Sequence, residues 1–227
     1  MTKIVNPFAF RLGVIRGHRS NWITKRGDKK SFIKNLQGDV LVREFLVKTL
    51  RGKMIGEILM ERSNKQWKII IPSARPGLIL GAKGEGVMEL KKKIERFMKT
   101  HKIANTSEMK IEITEIQNAE KSARVVGMMV AEGLEKRLPF RRVLKGTIEK
   151  VMQNKDISGI KISLGGRLGG ADMARTEFLK KGNIPLQTLR ADVDFAREKA
   201  HMTYGVLGIK VWIYKGQIFA KKNKAQK

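Results

Sequence analysis

Apolar residues recur along this chain with two different periods, and the switches between them mark out its elements. Over residues 65–71 the period is two: Trp67, Ile69 and Ile71 fall on one face and Gln66, Lys68 and Ile70 on the other, the pattern of a half-buried strand. Ala74-Arg75-Pro76-Gly77 breaks that run. From Val87 the period becomes helical, with Leu90, Ile94, Phe97 and Met98 on one face and Lys91, Lys92, Lys93, Arg96 and Lys99 over the other. The lysine run reads equally as a solvated surface and as a face turned to RNA. Met109, Ile111 and Ile113 then alternate with Lys110, Glu112 and Thr114, which predicts a strand able to join the earlier ones in a sheet. Upstream, residues 32–50 read as a helix and 54–61 as the first strand, so the order helix, strand, strand, loop, helix, strand describes an α+β domain.

A second region begins near residues 116–119. Ala123, Val126, Val130 and Leu134 keep helical spacing, while Gly127 and Gly133 either weaken that helix or admit close packing. Pro139 marks a second helix start. Phe140, Val143, Leu144, Ile148 and Val151 fall on one side of it, and at about 100° per residue Arg141, Arg142 and Lys145 gather on the opposite side, where Glu149 is the nearest acid. Beyond Asp156 the period returns to two in Ile160, Ile162 and Leu164, and again in Ile209, Val211 and Ile213, giving two strands. Between them Gly165-Gly166-Arg167-Leu168-Gly169-Gly170 could bring an RNA backbone up to Arg167 or form a bulge or wide hairpin, and spacing alone does not separate the two.

Charge changes the picture. With 48 Lys and Arg against 21 Asp and Glu, the 227-residue chain carries a formal net charge of +27, and self-repulsion opposes compaction unless a polyanion neutralises it. Nucleic acid is the leading partner. A membrane is disfavoured, because no apolar run approaches the roughly 20 residues needed to span a bilayer and residues 1–13 lack a signal peptide's continuous apolar core. The expected location is the cytoplasm. Absent cysteines exclude disulfides and thiolate metal sites. Length and a hydrophobic fraction of 41% suit two domains. The expected division is a basic arm over 1–30, a domain over 31–117, a second α+β domain over 118–216 and a basic tail over 217–227. The arm has eight basic residues against Asp28 and no apolar period, so residues 1 to about 28 are expected to be mobile alone and ordered on RNA.

The candidate chemistry sits at Gly81-Ala82-Lys83-Gly84. Two glycines flanking two residues let a backbone approach a sugar-phosphate strand, and the helix that follows offers free N–H donors and the positive end of its dipole. In its α+β setting this GxxG loop resembles the prokaryotic-type KH domain, whose loop clamps about four backbone nucleotides. A wider resemblance rests on several stretches: Gly159-Ile160-Lys161-Ile162 through Gly-Gly-Arg-Leu-Gly-Gly-Ala-Asp-Met-Ala-Arg-Thr-Glu, the run from Ile184-Pro185-Leu186 to Ala191-Asp192, and Thr203-Tyr204-Gly205 on to Trp212-Ile213. With Ala74-Arg75-Pro76-Gly77, the GxxG loop and the N-terminal Asn-Pro and Arg-Leu-Gly, these are similar, in collinear order, to bacterial small-ribosomal-subunit protein three.

That resemblance implies a KH domain followed by a C-terminal domain of two helices packed on an antiparallel sheet. It implies a structural component of the small-subunit head that binds ribosomal RNA. Expected neighbours are proteins ten and fourteen, with proteins four and five completing the channel through which messenger RNA enters. The family's residues credited with helping to unwind structured message match Arg141, Arg142 and Lys145. Ribosomal RNA contact is expected at Arg11 and Arg16 of the arm and at Arg167, Arg175 and Arg190 of the similar stretches. Gly-Ala-Lys-Gly departs from the two lysines many bacterial members carry, which weakens the phosphate clamp.

Enzyme readings are weaker. No GxxxxGK[ST] loop is present, and Gly84-Glu85-Gly86 does not continue to a dinucleotide fingerprint. Asp192, Asp194 and His201 could in principle hold a divalent cation for a nuclease, although an Asp pair in a strand is ordinarily a solvated face. The expectation is no enzyme, no cofactor and no metal. A free KH-type RNA chaperone or regulator is the alternative.

Overall fold

The computed structural model describes residues 5–63, 66–81, 84–101, 103 and 108–219. The chain forms two compact units, one of residues 18–117 and one that joins the N-terminal segment up to Gly17 to the region from Asn118 onward. The N-terminal segment holds a single turn, α1 (Pro7–Phe10), whose N-cap Asn6 accepts from the Phe8 amide. Residues 5–17 therefore belong to the C-terminal unit rather than to a separate arm, a correction whose physical cause is Arg11, described below.

In the first unit a four-stranded sheet runs in the order β1 (Ser20–Asn21), β2 (Leu59–Arg62), β3 (Gln66–Ser73) and β4 (Glu108–Glu115), with β2 and β3 antiparallel and the outer pairs parallel. Trp67, Ile69 and Ile71 are fully buried, as their alternation predicts. Helix α2 (Lys29–Thr49) starts at Asp28, whose carboxylate accepts from the Ser31 amide at 3.1 Å, and buries Val42 and Leu46. The first regular strand begins at Leu59 rather than near residue 54. Ile55 bridges Ser73 and the Gly56 amide donates to the Pro72 carbonyl at 2.7 Å, but Pro72 has no N–H to return, so the ladder cannot run on there. Between β3 and β4 lie α3 (Gly77–Leu80) and α4 (Glu85–Thr100), and α4 buries Leu90, Ile94 and Met98. The parallel β3–β4 pair needs this helical crossover, which places the GxxG loop between two helices.

The second unit packs α5 (Ala123–Glu135) and α6 (Phe140–Met152) on one face of a fully antiparallel sheet. Its strands β5 (Gly159–Gly166), β6 (Arg175–Gly182), β7 (Ala191–Met202) and β8 (Gly205–Gln217) are arranged β6-β5-β8-β7. Val126, Val130, Leu144 and Ile148 meet Ile160, Ile162, Val211 and Ile213 in one core. The two helical glycines admit close packing: a Cβ on Gly133 would stand 3.1 Å from Val143 Cγ1, and one on Gly127 only 2.9 Å from Glu198 Cγ. A smaller cluster of Val193, Phe195, Trp212 and Tyr214 occupies part of the opposite sheet face.

Candidate nucleic-acid interface

The GxxG loop is fixed by backbone conformation. Gly81 closes α3 with φ 67° and donates its amide to the Gly77 carbonyl, while Gly84 precedes α4 with φ 82°. Both angles lie in the left-handed region where a side chain is strained. Ala82 and Lys83 fall outside the described residues. The N-cap position of α4 is Gly84, which has no side chain to cap the helix's first N–H groups. A third glycine matters to the geometry, since a Cβ on Gly86 would meet the Ile79 carbonyl oxygen at 2.3 Å, which lets α4 start hard against α3.

Beside this loop, α4 and β4 enclose a cavity of about 300 Å³ lined by Val87, Met88 and Lys91 on the helix and by Met109, Lys110 and Ile111 on the strand. Met88 is strongly exposed. Gln66 and Glu108 complete the lining, so the apolar floor is rimmed by two lysines and one acid. Sequence reading did not find this groove, although the signal was present in the lysines that alternate with its apolar lining.

On α6, Arg141, Arg142 and Lys145 are all exposed on the side away from the core, as the helical spacing predicts. Arg141 lies 3.6 Å from Glu177 and 5.6 Å from the Phe140 ring, so its acidic neighbour comes from β6 and not from Glu149. Neither Arg142 nor Lys145 forms an ion pair among the described residues. The first turn of α6 holds no acid, and Pro139 provides no side-chain cap. Two arginines at the positive end of a helix dipole oppose that dipole, and the combined field favours an anion in front of them.

The remaining expected RNA contacts divide. Arg11 is fully buried, and its guanidinium donates to the carbonyls of Ala191 at 2.6 Å, Pro7 at 3.1 Å, Pro185 at 3.3 Å, Leu186 at 3.0 Å and Thr188 at 2.9 Å. Burial pulls its pKa below the usual arginine value, Asp192 opposes that shift, and Arg16 adds to it. Fully buried, the Arg11 guanidinium is out of reach of RNA. Arg16 pairs with Asp192 at 2.8 Å and Asp194 at 3.4 Å. These two arginines tie the N-terminal segment to the C-terminal sheet, and the burial of Arg11 corrects the expected ribosomal RNA contact at that residue; an apolar period was not required because carbonyls and carboxylates supply the attachment.

Arg167 is spent locally on the Ala171 and Tyr204 carbonyls and on Asp172, so the glycines around it serve a turn. Arg175, 3.5 Å from Glu177, and Arg190, whose guanidinium lies 5.4 Å from the Phe219 ring, keep exposed positions. Asp194 accepts from the Ala123 amide at 3.0 Å, at the start of α5, and both aspartates of the considered cation site face Arg16. Among the described residues no group of three or more His, Asp or Glu side chains is placed to hold a metal.

Known families match the sequence of both units. Residues 41–121 match the KH domain, and residues 130–213 match the C-terminal domain of ribosomal protein S3. A small ribosomal subunit protein uS3 from Hahella chejuensis is 43% identical over 218 residues, covering 96% of this chain and 91% of the relative. The uS3 protein of Marinobacter nauticus is 44% identical over 94% of this chain and 89% of the relative. That of Coxiella burnetii is 41% identical over 100% of this chain and 95% of its own length. The chain belongs to the uS3 family. RNA binding, a structural part in translation, a place on the cytoplasmic ribosome and the absence of enzymatic activity all follow from that membership. The architecture is the one the resemblance implies, a KH domain followed by two helices on an antiparallel sheet.

Proposed function

We propose that this uS3-family chain binds ribosomal RNA in the head of the small subunit beside proteins ten and fourteen, and that with proteins four and five it lines the channel through which messenger RNA enters. In this reading Arg141, Arg142 and Lys145 hold phosphates of the incoming strand. When a hairpin at the channel mouth frays, cations that bind single-stranded phosphates shift the equilibrium toward the separated state. The ribosome's own movement supplies the work, so unwinding is passive. Ribosomal RNA is met by the GxxG loop and its neighbouring groove, and by Arg175 and Arg190.

The observation that carries this reading is the pair Arg142 and Lys145, exposed and without an ion pair among the described residues, at the start of a helix whose first turn has no acid. Changing Arg141, Arg142 and Lys145 together to Ala removes phosphate contacts without opening a cavity. Subunits carrying the variant should assemble. They should slow selectively on a message with a stable hairpin, while a matched unstructured message is read nearly normally. Equal slowing on both messages, or none on either, rejects the role. For the purified chain, the log-log salt slope of single-stranded RNA binding should fall by up to about 2, at roughly 0.7 per phosphate contact.

A further inference from the structure

The C-terminal sheet has a second face, turned away from α5 and α6, and its composition is unlike that of the helix side. Registered neighbours on antiparallel strands project to the same face. One row across the sheet therefore reads Lys180, Lys161, Trp212 and Phe195, and the next reads Phe178, Ser163, Lys210 and Arg197. Further along, Gly165 lies opposite Gly208, which leaves the floor low, with Lys199 beside it. The acids of these strands that belong to the other parity, Glu177, Asp194 and Glu198, stand opposite core residues on the helix side. No carboxylate occupies either of these two rows, and Asp192, at the register shift that opens β7, is paired with Arg16.

A solvated protein surface ordinarily intersperses charges of both signs. Here the cations instead surround aromatic rings. The Lys161 ammonium lies 4.6 Å from the centre of the Phe178 ring and 5.3 Å from that of Trp212, and the Arg197 guanidinium 5.4 Å from that of Phe195. Phe178 is 62% exposed, a large apolar ring left in water amid lysines. These residues, with Val5, Asn6 and Pro7 of the N-terminal segment along one side, line a cavity of about 200 Å³, and the buried Trp212 Nε1–H has no acceptor among the described residues. Exposed ring, flanking cations and absent carboxylates together make the chemistry of a single-strand platform, in which a base stacks on an aromatic face and phosphates track the cations.

We infer that this outer face is a separate binding site for a single-stranded RNA segment, with one base stacked on Phe178 and phosphates held by Lys180, Lys210 and Arg197. An acidic protein segment would satisfy the charge but not the exposed ring between the cations, so RNA is the occupant the face fits. The site lies across the sheet from α6 and does not depend on the role proposed for that helix.

The test uses the full chain and a short oligouridine carrying a single 2-aminopurine. Replacing Lys180, Arg197 and Lys210 together with Gln should lower the salt slope of binding by about 2. That loss should add to the loss from the Arg141, Arg142 and Lys145 alanine variant when all six are changed, which separates failure of this site from failure of the other. Phe178→Leu keeps an apolar side chain but removes the π face. It should weaken binding about ten-fold and relieve 2-aminopurine quenching while leaving the salt slope unchanged. An unchanged slope in the glutamine variant, or unchanged quenching in Phe178→Leu, overturns the inference. It is equally overturned if poly-glutamate binding is lost in the glutamine variant while oligouridine binding is retained, since the face would then belong to an acidic protein.

Discussion

At the scale of single residues, the most instructive side chain is Arg11, because its charge suggests RNA and its surroundings assign it elsewhere. A guanidinium presents five N–H donors in a rigid planar fork, and at Arg11 Nε meets the Ala191 carbonyl at the start of β7, Nη1 the Pro7 carbonyl of α1, and Nη2 is shared among the carbonyls of Pro185, Leu186 and Thr188. Lysine offers three donors on a flexible stem and cannot reproduce the fork. Arg11→Met and Arg11→Lys should therefore both destabilise the C-terminal unit, by about 3 kcal/mol or more, since several buried carbonyls lose their donor at once. Chemical denaturation of the full chain, followed through Trp212, would measure this. A variant that keeps its stability but loses RNA affinity would return Arg11 to the RNA surface. In the KH unit, Asp39 is fully buried between Arg62, at 2.7 Å, and the Trp22 indole, at 2.7 Å, and Arg62 in turn lies over the Trp67 ring. Neither Asp39 nor Arg11 could be placed from sequence, because a lone charged residue outside an apolar period carries no sign of the partners that bury it.

At the scale of elements, periodicity was a reliable guide where one face is buried and the other solvated. It located β3, α4, α6, β5 and β8, and it put Arg141, Arg142 and Lys145 on the correct side of α6. It missed β6, an edge strand whose Arg175-Thr176-Glu177-Phe178 start has no apolar alternation, because Arg175 and Glu177 precede Leu179 on the core face and Thr176 precedes Phe178 on the other. It missed most of β7 for a related reason: a register shift between Ala191 and Val193 and the consecutive burial of Val193, Asp194 and Phe195 hide the two-residue repeat. The start of α6 carries a local conflict that periodicity does not register. Cations in a first turn without acids oppose the helix dipole, so Arg142→Gln should stabilise the C-terminal unit by about 0.3–1 kcal/mol at low salt, with the gain fading as salt is added. Thermal unfolding at two ionic strengths would check it. A loss of stability in that variant would mean that Arg142 serves the fold, and the assignment of this residue to RNA would lose its physical basis.

At the scale of the whole molecule, the excess of 48 cationic over 21 acidic side chains decides how the chain behaves apart from RNA. Two opposed effects compete as salt rises. Screening weakens the attraction within pairs such as Lys93–Glu89 and Lys136–Glu132, each exposed and worth at most about 1 kcal/mol. It also weakens the repulsion among the many cations that form no ion pair among the described residues, including Lys180, Lys210 and Arg197 of the outer sheet face and Arg142 and Lys145 of α6. With a net charge of +27 the second effect dominates, because unlike pairs use up only the minority of the cations. Raising sodium chloride from about 0.05 to about 0.5 M shortens the Debye length from roughly 14 to roughly 4 Å, and the melting temperature should rise by several degrees. The tie between Arg16, Asp192 and Asp194, being mostly buried, should be little affected over that range. A short single-stranded RNA added at low salt should raise the melting temperature as well, through preferential binding to the folded state, and its effect should shrink as salt is added. A melting temperature that falls steadily with sodium chloride would show that the attractive pairs outweigh the repulsion. The exposed cations would then stabilise the fold itself, and their excess would no longer argue for surfaces shaped to meet phosphate.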